Sequence, residues 1–299
     1  MGKKQLFGNI LLIILALIWG TAFVFQRVGM DYIEPITFNA SRMTLAAAAV
    51  GLISAGQFRK IWASDRTVFR NTVIGGICCG FFLAFASIFQ QMGIAYTTAG
   101  KAGFITAMYM LLVPVINFCL FRRRNPWFVW LAVLLGVVGM YFLCMTDTLR
   151  LARGDALVCI CAVLFSGHIL CCDHFAASYN PICISAVQLL TTAVISWTAA
   201  FLIESPSLYG MRSAALPILY CGLMSGGVGF TLQVVAQKYT DPATASLLMS
   251  LESVFAAIAG ALILHEQMTS RELLGCVIMF AAIIIVQRPQ KRKADDCGA

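Results

Sequence analysis

Residues 6–25 read LFGNILLIILALIWGTAFVF, a run of twenty residues without a charged side chain. A hydrocarbon core about 30 Å thick is crossed by roughly 20 helical residues, so this run indicates a membrane-spanning helix. The whole chain contains ten such stretches, and they predict helices over residues 7–27, 36–55, 71–94, 100–121, 126–145, 154–175, 181–203, 214–237, 242–264 and 270–287. The sequence therefore predicts an all-α membrane protein with ten transmembrane helices. Short polar gaps leave little chain for a soluble domain.

The composition excludes an ordinary soluble protein. Hydrophobic residues make up 60% of the chain and charged residues 11%, against about 45–50% and about 25% in soluble domains. The net charge of +8 is also compatible with nucleic-acid binding. However, Lys and Arg gather at the helix ends, where they determine topology. We therefore expect the lipid bilayer, and not nucleic acid, to surround this chain.

The distribution of basic residues predicts the orientation. If the N-terminus lies in the cytoplasm, fourteen Lys and Arg residues fall on the inner side and six on the outer side. Because cytoplasmic loops carry the excess of positive charge, we expect a multi-pass protein of the cell membrane with both termini in the cytoplasm. The basic segment 291–299 is predicted to be a cytoplasmic tail.

No motif predicts a metal ion or a cofactor. Most of the twelve cysteines lie inside apolar stretches, where free Cys behaves as a small hydrophobic residue. The run Cys171-Cys172-Asp173-His174 has the residue types of a metal site. Consecutive side chains on a helix diverge by about 100°, so they cannot converge on one ion.

The two halves of the chain resemble each other. At an offset of 146, the residues that match are Gly8, Ala16, Pro35, Gly76 and Gly80 with Gly154, Ala162, Pro181, Gly222 and Gly226. At an offset of 143, they are Gln90, Tyr96, Thr97 and Ala102 with Gln233, Tyr239, Thr240 and Ala245. We call residues related by these offsets repeat mates. Either the register changes by three positions within the third helix, or one of the two matches is a coincidence.

This repeat predicts two five-helix domains, residues 1–148 and 149–290. An odd number of crossings per domain turns the second domain upside down relative to the first. Inverted repeats with a binding site at their interface are typical of secondary transporters.

The second half also carries a family resemblance. The stretch Leu251-Glu252-Ser253-Val254-Phe255-Ala256, with His265-Glu266 after it, resembles the LEPVFA…GE pattern of EamA members of the drug/metabolite transporter superfamily. Trp19-Gly20 and Tyr96-Thr97-Thr98-Ala99, followed by Lys101-Ala102-Gly103-Phe104, fit the same pattern. Ser253 departs from it, because a proline stands there in the family, and this removes the reason to expect a helix distortion. Phe165-Ser166-Gly167 likewise stands where the second half would repeat Trp-Gly.

The resemblance implies a ten-helix inverted repeat with a central cavity open to one side at a time. It implies that helices 1, 3, 4, 6, 8 and 9 line this cavity. It further implies transport of small metabolites, often amino acids or related compounds and frequently outward. Within the fourth helix, Pro114 predicts a kink, which a membrane tolerates only where protein or water satisfies the freed carbonyl group.

Glu252 is the clearest candidate for a transport residue. It lies near the middle of the ninth helix, where a charge is costly, and it either binds a substrate amine, carries a proton or pairs with a neighbouring helix. Its repeat mate is Tyr109. A Tyr/Glu pair near the pseudo-symmetry axis is the expected place for a site at the membrane midplane.

Other polar residues in the apolar stretches complete the predicted substrate site. Gln90 and its mate Gln233 either bind a polar solute or hold helices together. Lys101 either attracts an anionic group or extends its amine to the membrane interface. His168 is a candidate proton relay or a packed core residue. Trp19, with Gly20 beside it, either lines the cavity or serves aromatic packing.

For Arg42, in the second predicted helix, the sequence favours a structural role in which its side chain pairs with a nearby acid. Its repeat mate Gln188 is uncharged, which argues against a symmetric ionic site.

The predicted function is a secondary transporter of small metabolites that works by alternating access. No nucleotide-binding loop of the G-x-x-x-x-G-K type is found, so a solute or ion gradient, with protons as the candidate ion, is expected to supply the energy. An intramembrane enzyme is the first alternative, but converging catalytic groups are missing. A receptor or scaffold without solute flux is the second. The expected partners are a small-molecule substrate and lipid, in a monomer or a homodimer.

Overall fold

The computed structural model describes residues 3–97, 99–122, 125–144, 153–263 and 269–286. It is 90% helical, and no strand occurs in the described part. The helices are α1 (Lys3–Gly29), α2 (Pro35–Ser64), α3 (Arg66–Ile94), α4 (Ala99–Ala107), α5 (Tyr109–Phe121), α6 (Trp127–Cys144), α7 (Arg153–Ser178), α8 (Pro181–Ile203), α9 (Leu208–Ser213), α10 (Ala215–Leu219), α11 (Phe230–Gln237), α12 (Pro242–Met249), α13 (Glu252–Ile263) and α14 (Ser270–Val286). A π-helical segment, Tyr220–Gly229, joins α10 to α11.

Eight of these helical stretches are long and apolar enough to cross a membrane. They are Lys3–Gly29, Pro35–Ser64, Arg66–Ile94, Ala102–Leu120, Arg153–Ser178, Pro181–Ile203, Ala215–Gln237 and Pro242–Ile263. Two shorter apolar stretches, Trp127–Gly139 and Leu273–Ile285, lie in α6 and α14, which pack against each other. The predicted all-α membrane protein is confirmed at this level.

Local sequence signals explain where several helices begin. Pro35, Pro181 and Pro242 occupy first-turn positions, where the missing N–H would have no partner within the helix. The start of α2 receives an additional cap from a distant residue. Glu204 accepts hydrogen bonds from the backbone N–H groups of Ile36 (2.8 Å) and Thr37 (2.7 Å). The end of α8 is thereby joined to the start of α2.

Three predicted continuous helices are interrupted in the structure. The fourth is broken at Met108, between α4 and α5. The ninth is broken at Ser250 and Leu251, between α12 and α13, and the eighth contains the π-helical segment. Met108 and Leu251 are repeat mates at the offset of 143, so the two breaks occupy equivalent positions in the two halves.

Pro114 lies inside α5, after the break at Met108, whose carbonyl oxygen accepts from both Leu111 N and Leu112 N. The kink at Pro114 stays a prediction. The expectation of an undistorted ninth helix was wrong. The ninth helix is distorted although Ser253 replaces proline. The Ser253 hydroxyl donates to the Ser250 carbonyl oxygen at 2.8 Å, so a side chain satisfies backbone at the break without any proline.

Close glycine contacts hold the bundle together. A Cβ atom at Gly80 would lie 2.7 Å from the Gln188 carbonyl oxygen, so α3 packs tightly on α8. A Cβ at Gly222 would lie 2.9 Å from the Arg42 carbonyl oxygen, so the π-helical segment packs tightly on α2. Small residues let helix backbones approach each other closely, and these two glycines allow such close packing of neighbouring helices.

The two sides of the bundle are named here by α1. The Lys3 end contains the start of α1, which is joined to the chain after α11 by a hydrogen bond from Thr240 Oγ1 to Asn9 Oδ1 (3.0 Å). The Gly29 end contains the end of α1 and of α3, where Gln91 Nε2 donates to Met30 Sδ (3.2 Å). At this end, α7 begins with Asp155 accepting from Thr97 Oγ1 (3.2 Å).

Candidate functional site

A polar cavity lies where α1, α13 and the two helix breaks meet. It has an empty volume of about 340 Å³. Its lining residues come from seven of the predicted helices and are Trp19, Phe23, Gln26, Arg42, Gln90, Thr106, Tyr109, Phe165, Ser225, Phe230 and Glu252. Predicted helices 1, 3, 4, 6, 8 and 9 all contribute to this lining, and helix 2 contributes Arg42 in addition.

Tyr109 and Glu252 meet in the wall of this cavity. The Tyr109 hydroxyl donates a hydrogen bond to Glu252 Oε1 at 2.8 Å. Tyr109 is the first residue of α5 and Glu252 the first residue of α13, so both side chains leave the backbone at the helix breaks. Both residues are almost fully buried. The hydrogen bond satisfies one oxygen of the buried carboxyl group, which lowers the cost of its burial.

Arg42 brings a buried cation to the same cavity. Its Nε and Nη2 donate to Asn39 Oδ1 at 3.0 and 2.8 Å, and its guanidinium group lies 6.0 Å from the centre of the Phe38 ring. The predicted ion pair with an acid is wrong for the described residues, because an amide oxygen takes that place. Asn39 is held in turn by hydrogen bonds from its Nδ2 to Ser87 and Ser196. A neutral partner leaves the positive charge of Arg42 uncompensated at the cavity wall.

Trp19 joins α1 to the π-helical segment. Its indole Nε1 donates to the Ser225 carbonyl oxygen at 3.1 Å, and its ring lies 5.0 Å from that of Phe230. In a regular α-helix the Ser225 carbonyl group would accept from the backbone four residues later. Ser225 belongs to the π-helical segment and lines the cavity, and π-bulges often occur at functional sites.

Gln90 lines the cavity, and Gln233 and His168 do not. Gln90 Nε2 donates to Thr106 Oγ1 at 3.2 Å, and both residues are lining residues. Gln233 and His168 are fully buried outside the cavity. The side chain of Lys101, the remaining predicted residue, lies outside the described part, although its backbone belongs to α4. His265, Glu266 and the tail 291–299 also lie outside the described residues.

The sequence did carry a signal for several lining residues that were not predicted. Phe23 and Gln26 follow Trp19 by four and seven positions, so they share its face of α1. Phe165 is the repeat mate of Trp19. Ser225, Phe230 and Thr106 had no comparable signal, because small hydroxyl and aromatic side chains are common throughout apolar helices.

A comparison with protein families identifies the chain. The model of the EamA-like transporter family matches residues 6–145 and again residues 152–288. The chain belongs to the EamA-like transporter family. It is a multi-pass membrane protein of a transporter family, and the family match also points away from an enzyme.

Relatives of this EamA-family chain are transporters too. It is 30% identical over 290 residues to an uncharacterized transporter of Archaeoglobus fulgidus, with 95% of this chain and 87% of the relative covered. It is 23% identical over 279 residues to the uncharacterized transporter YoaV of Bacillus subtilis, with 92% and 94% covered. One solved structure shares the fold with a TM-score of 0.75 at 19% identity, over 94% of this chain and 96% of the other.

Proposed function

We propose that this chain is a secondary transporter of small amphoteric metabolites, amino acids or close relatives of them, that works by alternating access. The cavity around Tyr109 and Glu252 is the proposed substrate site.

The observation that supports this substrate class is the presence of Arg42 and Glu252 in the wall of one cavity. A zwitterionic solute carries a carboxylate and an ammonium group, which match a guanidinium and a carboxyl group respectively. Trp19, Phe165 and Phe230 supply apolar surface for the remainder of the solute. Because Arg42 bonds to a neutral amide and forms no ion pair within the described residues, it can accept an anionic partner without breaking one.

Equivalent contacts in the two halves support the proposed ten-helix inverted repeat, with domains at residues 1–148 and 149–290. The hydrogen bonds Thr97–Asp155 and Thr240–Asn9 are related residue by residue, through offsets of 143 for the threonines and 146 for their partners. The first lies at the Gly29 end and the second at the Lys3 end. Equivalent contacts at opposite ends are what an inversion produces.

Transport driven by a gradient completes the proposal. Glu252 is the group that would exchange a proton with the solute path, and Tyr109 would hold the carboxyl group in place. Counter-flow in liposomes at several pH values tests this role. Uptake that stays flat from mildly acidic to alkaline pH would refute proton coupling and leave the substrate site standing.

The decisive experiment is counter-flow uptake by purified protein in liposomes. Labelled amino acids, amines and nucleobases are offered in parallel. We expect uptake of at least one zwitterionic amino acid above that of empty liposomes. Uptake of amines or nucleobases alone would overturn the substrate class.

Substitutions of the two charged groups sharpen this test. Arg42→Gln and Glu252→Gln each remove one charge-assisted hydrogen bond to the solute, which is about 1.5–3 kcal/mol or roughly ten- to hundredfold in uptake at low substrate concentration. Arg27→Gln and Asp31→Asn serve as matched controls, because this exposed pair lies outside the cavity. Unchanged uptake in both cavity variants would refute the site.

A further inference from the structure

The two halves of the chain contribute unequally to the cavity lining. For two pairs of repeat mates, Trp19 with Phe165 and Tyr109 with Glu252, both members line it. For three further pairs only the member from the first half does so, and Ser225 and Phe230 line the cavity without their first-half mates. Gln26, Arg42 and Gln90 are lining residues, and their mates Cys172, Gln188 and Gln233 are not. The cavity is therefore displaced from the Tyr109–Glu252 pair toward one side.

That side is the Gly29 end. Phe23 and Gln26 follow Trp19 along α1 toward Gly29, whereas Cys172 follows Phe165 along α7 toward Ser178 and the Lys3 end. The mates that do not line the cavity thus lie on the opposite side of Tyr109 and Glu252. This is where an inverted repeat would form the equivalent cavity.

Two of these mates, Cys172 and Gln188, form a buried polar cluster with His168. The third, Gln233, is buried on α11 three residues after Phe230. His168 Nε2 lies 3.0 Å from Gln188 Oε1, and Cys172 Sγ lies 3.4 Å from the same nitrogen. Four residues, His168, Cys172, Gln188 and Gln233, are each 0% or 1% exposed. We call these four residues the Lys3-side cluster.

Two aromatic rings separate the cluster from the cavity. The centre of the His168 ring lies 6.2 Å from that of Phe165 and 6.0 Å from that of Phe230. Both phenylalanines line the cavity. The Lys3-side cluster therefore lies directly behind the cavity wall, with no further layer of side chains between them at His168.

Several polar atoms of the cluster lack a hydrogen-bond partner among the described residues. His168 Nδ1, Gln188 Nε2 and Gln233 Oε1 have no hydrogen-bond partner among the described residues, and all three atoms are buried. A buried polar group without a partner lowers stability, and apolar side chains of similar size would pack there at less cost. Donors and acceptors of this kind are expected where a polar ligand binds in another conformation.

We propose that the Lys3-side cluster is a second solute site, which binds a polar solute through uncharged hydrogen-bonding groups when the transporter opens toward the Lys3 end. This proposal rests on the proposed function and assigns the residues of its opposite state. Arg42 is replaced there by its mate Gln188, so the second site holds the solute without a positive charge. Tyr109 and Glu252 belong to both sites.

Thiol labelling of the purified protein in nanodiscs tests the proposal, because both faces are then open to a membrane-impermeant maleimide. Three variants with one cysteine each are compared. The first keeps the natural Cys172, and the second carries its mate as Gln26→Cys. The third keeps Cys183, which is equally buried but outside the cluster. We expect measurable labelling of the first and of the second, which belong to the two sites, and none of the third.

A second substitution shifts the equilibrium between the two states. Gln237 Nε2 donates to the Ile169 carbonyl oxygen at 2.9 Å and joins α11 to α7 at the Lys3 end. Gln237→Ala removes this bond, which we expect to raise the labelling rate of Cys172 about fivefold and to lower that of Gln26→Cys. Cys183 should stay unlabelled. Thr198→Ala, on the exposed face of α8, is the control and should change none of the rates.

Each other outcome has a definite meaning. If Cys172 and Cys183 are labelled equally in both backgrounds, general loosening explains the reaction and the second site is refuted. The second site is also refuted if Cys172 stays unlabelled while liposome uptake proceeds, and the transport function then stands. Reciprocal labelling of Cys172 and Gln26→Cys without uptake of any offered solute would support the two states and refute the proposed substrates.

Discussion

At the residue scale, the hydrogen bond between Tyr109 and Glu252 links the two halves of the chain at equivalent positions. These residues are 143 positions apart, which is the offset of the repeat around them. The sequence predicted that they are neighbours, because mates near an inversion axis lie opposite each other. It did not predict their geometry, because the breaks that turn both side chains inward depend on backbone hydrogen bonds at Met108 and Ser250.

Removal of the Tyr109 hydroxyl should destabilise the fold. In Tyr109→Phe the buried carboxyl group of Glu252 loses its donor, and we expect a loss of about 1–3 kcal/mol in the free energy of unfolding. Addition of Glu252→Met to this variant should recover part of the loss, because no polar group then lacks a partner. Thermal unfolding in detergent measures both effects.

Tyr32→Phe is the matched control for this cycle, because Tyr32 is 53% exposed and surface changes stay within about 0.5 kcal/mol. Additive effects of Tyr109→Phe and Glu252→Met would show that the hydrogen bond contributes nothing to stability.

Arg42 shows the limit of reasoning from single residues. The sequence favours an ion pair for a cation inside an apolar helix, since buried charges are usually paired. The structure supplies Asn39 instead, three positions away on the same helix. Asn39 can take this role because Ser87 and Ser196 from two other helices orient its amide group. Such a network depends on tertiary packing and has no local sequence signature.

At the element scale, α1 and α13 approach each other closely at Gly20. A Cβ atom there would lie 2.8 Å from both the Ala256 nitrogen and the Glu252 carbonyl oxygen. These are backbone atoms, so neither can move away without shifting a helix. The contact therefore holds the start of α13, and with it Glu252, against α1.

The substitution Gly20→Ala should be costly for this reason. Overpacking of a tight contact costs about 1–3 kcal/mol, and uptake should fall with it because Glu252 is displaced. Thermal unfolding and liposome uptake are the measurements. Gly51→Ala is the control, since nothing lies within 4 Å of its added Cβ, and helix propensity predicts a gain of up to about 1 kcal/mol. Equal stability of the two variants would contradict the assigned contact.

At the scale of the whole molecule, the two halves of the chain pack extensively against each other. Contacts of α3 are most extensive with α7 and α8, and the π-helical segment packs on α2. Elements of the first half are thus held mainly by elements of the second. A change of shape in one half must then be accommodated by the other, which is the mechanical requirement for alternating access.

The proposed inverted repeat makes a topological prediction. With ten crossings, the two chain ends lie on the same side of the membrane and α9 lies on the other. In a variant stripped of other cysteines, Lys4→Cys and the natural Cys297 should react with an impermeant maleimide from the same side. Tyr209→Cys in α9, where Tyr209 is 82% exposed, should react from the opposite side. Labelling of Lys4→Cys and Cys297 from opposite sides would refute the repeat.

The sequence by itself predicted the apolar helical stretches and the similarity between the two halves. Both are local properties: transfer of about twenty apolar residues into lipid depends on their own composition, and a repeat is visible in the chain directly. Only the tertiary structure decided that Arg42 shares a cavity with Glu252 and that His168 and Gln233 lie behind its wall. The reason is that a helix in lipid can turn any of its faces inward, and contacts with other helices, such as Gly20 on α13 and Gly222 on α2, select which face that is.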